Sequence, residues 1–185
     1  MAGEVTIIAG IPIPSSSPVF LAAVGFHVLA GLTCVATGAV AMLSRKGRGR
    51  HSNFGTIYCW GLVAVFLSSA GLAITRWAAD YPLFILGSLA MASAWFGRTV
   101  MRRRWPVRLH IAGMGCSYIV LLTAFYVDNG KNLPLWRLLP PLAYWLLPST
   151  IGLPIIAHAL LRHPLARRAP GFREQPTLPS FDPRP

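Results

Sequence analysis

Histidine is the residue type in this chain that offers the most chemistry, and its five copies lie in or beside apolar stretches. They are His27, His51, His110, His158 and His163. A neutral imidazole is a metal ligand, and its pKa near neutrality also lets it carry protons. Carboxylates number only five in 185 residues, and the chain has neither an HExxH pair nor a glycine-rich phosphate loop with a lysine. Hydrolase and kinase chemistry therefore have no residues to support them.

The elements that position these histidines are predicted to be membrane-spanning helices. The chain is 54% hydrophobic and 12% charged, with a mean hydropathy of +0.54, whereas soluble domains have about 25% charged residues. Crossing the hydrocarbon core takes about 20 apolar residues, and five segments reach or approach that length. We expect an all-α, polytopic bundle of five transmembrane helices at approximately 18–43, 54–75, 81–97, 107–127 and 136–161.

Lysine and arginine alternate between the two sides of this predicted bundle. Fourteen lie in the first loop, the third loop and the tail after residue 161, and the other side has Arg76, Lys131 and Arg137. Because positive loops stay in the cytoplasm, the N-terminus is predicted outside and the C-terminus inside. The net charge of +12 is then explained by topology and by attraction to anionic lipid headgroups, not by nucleic acid. We expect a multi-pass protein of the bacterial inner membrane, that is, the plasma membrane.

Three regions follow from this organisation. Residues 1–17 are expected to form a short extracytoplasmic segment, 18–161 the transmembrane domain, and 162–185 a disordered, basic, proline-rich cytoplasmic tail. Cys34, Cys59 and Cys116 fall in three different spans, so neither a disulfide framework nor zinc-type spacing is predicted.

Three of the histidines share one depth in the predicted bundle. His51 opens the second span, His110 opens the fourth, and His158 lies within a turn of the cytoplasmic end of the fifth. A b-type haem held between helices needs two facing imidazoles, small residues beside the macrocycle and cations for its propionates. We therefore expect a haem b or related redox site near the cytoplasmic face.

The roles in that site are assigned by position along the chain. The histidines that open the second and fourth spans are the expected axial ligands, the histidine of the fifth span is a substitute, and an arginine beside each ligand would pair with a propionate. The candidate cofactor-binding residues are His51, His110, Arg50, Arg108, His158 and His27, with His51 and His110 as the metal ligands.

Small residues near these histidines allow two interpretations. Gly113 and Ser117 share a helical face with His110, and Gly55 shares one with His51, as a macrocycle lying against the backbone would require. Close helix packing in lipid requires the same small residues, and interfacial histidines often bond only a carbonyl. A non-catalytic membrane subunit or scaffold, contacting another membrane protein or a second copy, is therefore one alternative.

A small-molecule carrier is the other alternative. The five acids, Glu4, Asp80, Asp128, Glu174 and Asp182, are all expected outside the middle of the spans. Coupled transport normally needs an ionisable group near the midplane of the bilayer. A carrier built from this chain would therefore depend on His27, with a fifth helix kinked by its two prolines.

The stretch from His27 to Tyr58, "HVLAGLTCVATGAVAMLSRKGRGRHSNFGTIY", resembles the bacterial predicted membrane proteins grouped as domain of unknown function 2306. In that family a histidine with following glycines precedes a basic loop and then a histidine, a glycine and a tyrosine, and "RLHIAGMGCSY" around His110 is similar to a later family motif. The resemblance covers roughly residues 20–128. Ser52 replaces a usual arginine, and residues 111–114 lack the usual aromatic. The resemblance implies a multi-helix membrane protein with a histidine set and no particular activity.

Overall fold

Five long helices dominate the structure, a computed structural model that describes residues 6–8, 11–13, 17–47, 49–75 and 77–162. At 1.5 Å per residue their 22 to 26 residues extend about 33 to 39 Å, enough to cross the hydrocarbon of a bilayer. All five are long and apolar enough to be membrane spans, as predicted. The helices are α1 (Pro18–Leu43), α2 (Arg50–Thr75), α3 (Trp77–Arg102), α4 (Val107–Asn129) and α5 (Pro141–Arg162).

A short antiparallel hairpin precedes the helices and was not predicted. Its strands are β1 (Thr6–Ile8) and β2 (Ile11–Ile13), with Ile7 opposite Pro12. Most of the predicted extracytoplasmic segment, and His163 with the rest of the predicted disordered tail, lie outside the described residues.

Several helix boundaries differ from the prediction, and three of the larger differences are at the start of α2, the end of α3 and the start of α5. Helix α2 begins at Arg50 because the carbonyl of Gly49 accepts its first backbone hydrogen bond, from Asn53. Helix α3 continues through Arg98 to Arg102, so two arginines assigned to the third loop lie inside a helix. Helix α5 begins only at Pro141, since proline disfavours helical backbone in the residue before it and suits the first helical position. Residues Trp136–Leu138 form a separate 3-10 turn.

The helices form a ring of four with the fifth outside it. Along the ring α1 packs on α2, α2 on α3 and α3 on α4, while a smaller contact between α1 and α4 closes it, and α5 packs against α4. Helices α2 and α4 therefore face each other across the ring. The ends of the helices that carry Arg45, Arg50, Arg102, Arg108 and Arg162 are called the basic end of the bundle below.

The closest helix contact joins α3 and α4 through two glycines. A Cβ atom added to Gly113 would lie 3.0 Å from the backbone of Gly97 and from the carbonyl oxygen of Ser93. Backbones approach this closely only where side chains are absent. The buried core beside this contact includes Cys34, Tyr58, Cys59, Leu62, Val65, Ala90, Ala94 and Leu121.

The outer surface of the ring is apolar. Large hydrophobic side chains stand exposed on the helices, including Leu29, Trp60, Leu67, Ile85 and Leu153. Soluble monomers do not expose apolar surface on this scale. An apolar surface of this kind is compatible with a protein that spans a membrane.

Candidate functional site

His51 and His110 meet inside the basic end of the ring. His51 lies in the first turn of α2 and His110 near the start of α4. Their rings are half-buried, with centroids 6.2 Å apart and planes at 81°. The two histidines expected as ligands are therefore neighbours, although their helices face each other across the bundle.

Each of these imidazoles is held by a backbone carbonyl of a different helix. The Nδ1 of His51 lies 2.8 Å from the Ala41 oxygen on α1, and the Nδ1 of His110 lies 2.8 Å from the Gly97 oxygen on α3. A carbonyl oxygen only accepts, so each Nδ1 must carry the hydrogen and donate it. In the neutral ring Nε2 then keeps its lone pair.

Two acceptor nitrogens on adjacent rings, with their tautomers fixed, form a set suited to a cation. Histidines that bind metals usually donate their other N–H to a carbonyl or carboxylate, which fixes the ring and makes the ligating nitrogen more basic. Two metal–nitrogen bonds of about 2.0–2.1 Å, together with the ring radii, place the centroids of two opposed imidazoles about 6 Å apart. The observed separation of 6.2 Å is compatible with that value and equally with edge-to-face packing of the two rings.

Deeper in the bundle a buried hydrogen bond closes the space between α2 and α4. The hydroxyl oxygens of Tyr58 and Ser117 are 2.7 Å apart, and these residues are 2% and 0% exposed. Each lies seven residues beyond its histidine, which is about 10 Å along the helix. Of the two interpretations offered for Ser117, a neighbouring macrocycle or helix packing, the structure shows packing, against Tyr58.

The space between the histidines and this hydrogen bond is open on one side and closed on the other. A Cβ added to Gly55 would meet no atom within 4 Å, whereas Gly113 already touches the backbone of Gly97. The donor set fits a metal held by two imidazoles. Gly113 leaves no room for a bound group, because α3 and α4 are in contact there.

Three arginines near the pair differ in where their side chains lie. Arg50 and Arg108 are exposed, and within the described ranges neither has a hydrogen-bonding partner. Arg98 is half-buried, and its Nη1 donates to Thr56 Oγ1 on α2 at 3.2 Å. The sequence prediction missed this inward arginine because the third span was ended at the first cation; a helix continued to Arg102 would have included it.

The remaining histidines lie apart from the pair. His158 is exposed on α5, outside the ring. His27 lies on α1, and its Nδ1 is 2.9 Å from Ser68 Oγ, which itself donates to the Ala64 carbonyl. Across the described part of the chain no three His, Cys, Asp or Glu side chains come together as a metal site. The pair therefore supplies two protein ligands, which suits a group that brings ligands of its own.

The described acids lie at the end of the bundle opposite the histidine pair. Asp80 is in the first turn of α3, and Asp128 is in the last turn of α4. Of the described cysteines, Cys34 and Cys59 are buried and Cys116 is exposed, all as free thiols. Neither residue type adds a ligand to the pair.

Fold and site together define a bundle of five apolar helices, compatible with a multi-pass membrane protein, with two neighbouring histidines at its basic end. No family model, no curated protein and no solved structure matches this chain. The resemblance based on residues 27–58 therefore stays a prediction.

Proposed function

We propose that this protein is a multi-pass protein of the bacterial inner membrane that binds haem b between His51 and His110, in a redox role near the cytoplasmic face. The observation that carries the proposal is the pair of imidazoles 6.2 Å apart, each with Nδ1 committed to a carbonyl and Nε2 left as a ligand. The haem would supply one-electron chemistry. The chain supplies the two ligands and their orientation.

The charge distribution supports the proposed orientation. Nine described lysines and arginines lie at or near the basic end, whereas Lys131 and Arg137 lie with Asp80 and Asp128 at the opposite end. The excess of positive charge is expected in the cytoplasm. The N-terminus is then outside and the histidine pair is near the cytoplasmic surface.

The two proposed ligands are also positioned by α1 and α3. Because the Ala41 and Gly97 oxygens accept from Nδ1, they make each Nε2 a better electron donor and restrict rotation of the ring. Arg50 immediately precedes His51, and Arg108 lies two residues before His110. Both arginines are at the mouth of the site, where a guanidinium can pair with a carboxylate. The substitute-ligand role expected of His158 is not part of this proposal, because its ring is exposed on α5, apart from the pair.

The test is the absorption spectrum of purified protein produced with haem available. We expect a Soret band, a reduced-minus-oxidised difference and extractable haem, all lost in His51→Ala and in His110→Ala. The matched control is His158→Ala, whose exposed ring on α5 can be removed without changing the spectrum. A wild-type protein without Soret band or extractable haem overturns the proposal, and so do unchanged spectra in both ligand variants.

A scaffold without a cofactor is the second candidate, and one observation favours it. Each histidine already joins two helices through its Nδ1 bond, so both have a packing role without any ligand. For this candidate we expect colourless protein and histidine variants that change only the stability of the bundle. The same spectra and a thermal denaturation curve distinguish the two.

A further inference from the structure

The turn between α1 and α2 borders a partly open cavity of about 440 Å³ at the basic end. Gly47 and Gly49 adopt φ values of +134° and +103°, a region that favours glycine. These two residues let the chain reverse within six residues of the end of α1. The reversal brings two cations to one cavity, which is lined by Val40, Leu43, Ser44, Arg45 and Arg50.

The described cations of this turn differ in whether their side chains have a hydrogen-bonding partner. Lys46 donates its Nζ to the Met42 carbonyl at 2.6 Å, which satisfies an end carbonyl of α1, and partial burial of its ammonium lowers the pKa of Lys46. Arg45 and Arg50 have no hydrogen-bond or ion-pair partner in the described part of the chain. Both described acids are at the far end of the bundle, so within the described part of the chain no carboxylate pairs with these guanidinium groups.

The other wall of the cavity is apolar and faces outward. Val40 and Leu43, in the last turn of α1, are 38% and 89% exposed. An apolar wall next to two unpaired guanidinium groups, at the depth where an apolar helix ends, complements a molecule with a hydrocarbon chain and a negative headgroup. Guanidinium groups bind phosphate oxygens with paired hydrogen bonds.

We propose that this cavity binds one anionic glycerophospholipid. Arg45 and Arg50 hold its phosphate, and Val40 and Leu43 contact the start of an acyl chain. A cavity of this volume accommodates a headgroup and the first methylenes. The lipid site shares Arg50 with the proposed propionate contacts, whereas Arg45, Val40 and Leu43 have no role at the histidine pair.

The experiment is native mass spectrometry of the full chain in detergent, with dioleoyl phosphatidylglycerol or dioleoyl phosphatidylcholine added. We expect one retained phosphatidylglycerol on the wild type and markedly less phosphatidylcholine. The Arg45→Gln/Arg50→Gln variant should bind phosphatidylglycerol more weakly, by about fivefold for each arginine. The matched control, Arg102→Gln/Arg162→Gln, removes two exposed charges from the same end and should retain the lipid.

Two further comparisons distinguish a specific lipid-binding site from general electrostatic attraction between the basic end and anionic lipid. Leu43→Gln should weaken phosphatidylglycerol binding and leave inorganic phosphate binding unchanged, because only the lipid uses the apolar wall; Leu43 is too exposed for this change to unfold the bundle. If Arg45→Gln/Arg50→Gln and Arg102→Gln/Arg162→Gln lose phosphatidylglycerol equally, the lipid is held by diffuse attraction to the surface, and the proposal is overturned. Equal retention of the two lipids, or no effect of Arg45→Gln/Arg50→Gln in a folded protein, overturns it as well.

Discussion

Tyr58 and Ser117 share a hydrogen bond of 2.7 Å at the centre of the ring, and this bond joins the two helices that face each other across it. Neither side chain is accessible, so neither hydroxyl can turn to water. A buried hydroxyl that loses its partner keeps its desolvation cost. The bond therefore holds α2 and α4 in register one level below the histidine pair.

Breaking this bond from one side should destabilise the bundle. We expect Tyr58→Phe to lower the free energy of unfolding by about 1 to 2 kcal/mol, measured by reversible unfolding in mixed micelles. Ser117→Ala should cost a similar amount, and the double variant should cost less than the sum because no hydroxyl is then left unpaired. Tyr81→Phe, at an exposed tyrosine on α3, is the control. If the destabilisation of the double variant equals the sum of the two single variants, the hydrogen bond between Tyr58 and Ser117 contributes nothing to the free energy of unfolding.

Sequence predicted the helices of this molecule well because long apolar runs are easily recognised in a sequence. Helix number follows from runs of apolar residues, and all five were found. The ends were less accurate, since they depend on local features such as the Gly49 carbonyl before α2 and the inward turn of Arg98 within α3. Hydropathy does not record either feature.

Which side chains meet is a harder prediction for the same reason. A membrane helix is apolar on all sides, so no amphipathic stripe fixes its rotation about its own axis. Equal depth for His51 and His110 could be predicted, but their contact could not. The sequence also did not determine what Gly113 and Ser117 contact. It allowed either a macrocycle or a neighbouring helix, and in the structure both residues pack against neighbouring helices.

The two glycines beside the histidines should respond oppositely to added side chains. Gly113→Ala places a methyl group against the Gly97 backbone and should cost about 1 to 3 kcal/mol, measured by the same unfolding assay. Gly55→Ala enters open space and should change stability by less than about 1 kcal/mol. Gly55→Leu should leave the bundle folded and reduce bound haem, because its side chain occupies the opening next to His51. Equal destabilisation by the two alanines would contradict the packing described for α3 and α4.

The proposed orientation is tested by cysteine accessibility. In a chain with Cys34, Cys59 and Cys116 changed to alanine, we expect Arg103→Cys to react with a membrane-impermeant maleimide only after the cells are permeabilised. Asn132→Cys, in the exposed connection at the opposite end, should react in intact cells. The reverse pattern would place the basic end outside and remove the cytoplasmic assignment of the histidine pair.

Asparagine separates the packing role of the histidines from their proposed ligand role. Its side-chain amide reaches about as far as Nδ1 and donates a hydrogen bond, so His51→Asn can still bond the Ala41 carbonyl and His110→Asn the Gly97 carbonyl. Nothing replaces Nε2. We expect both variants to keep the unfolding free energy within about 1 kcal/mol of the wild type while losing the Soret band, and both alanine variants to lose stability as well as the band. A folded His51→Asn protein that keeps its haem would exclude His51 as a ligand. If the wild type and all variants are colourless, and asparagine restores the stability that alanine removes, the result would support the scaffold.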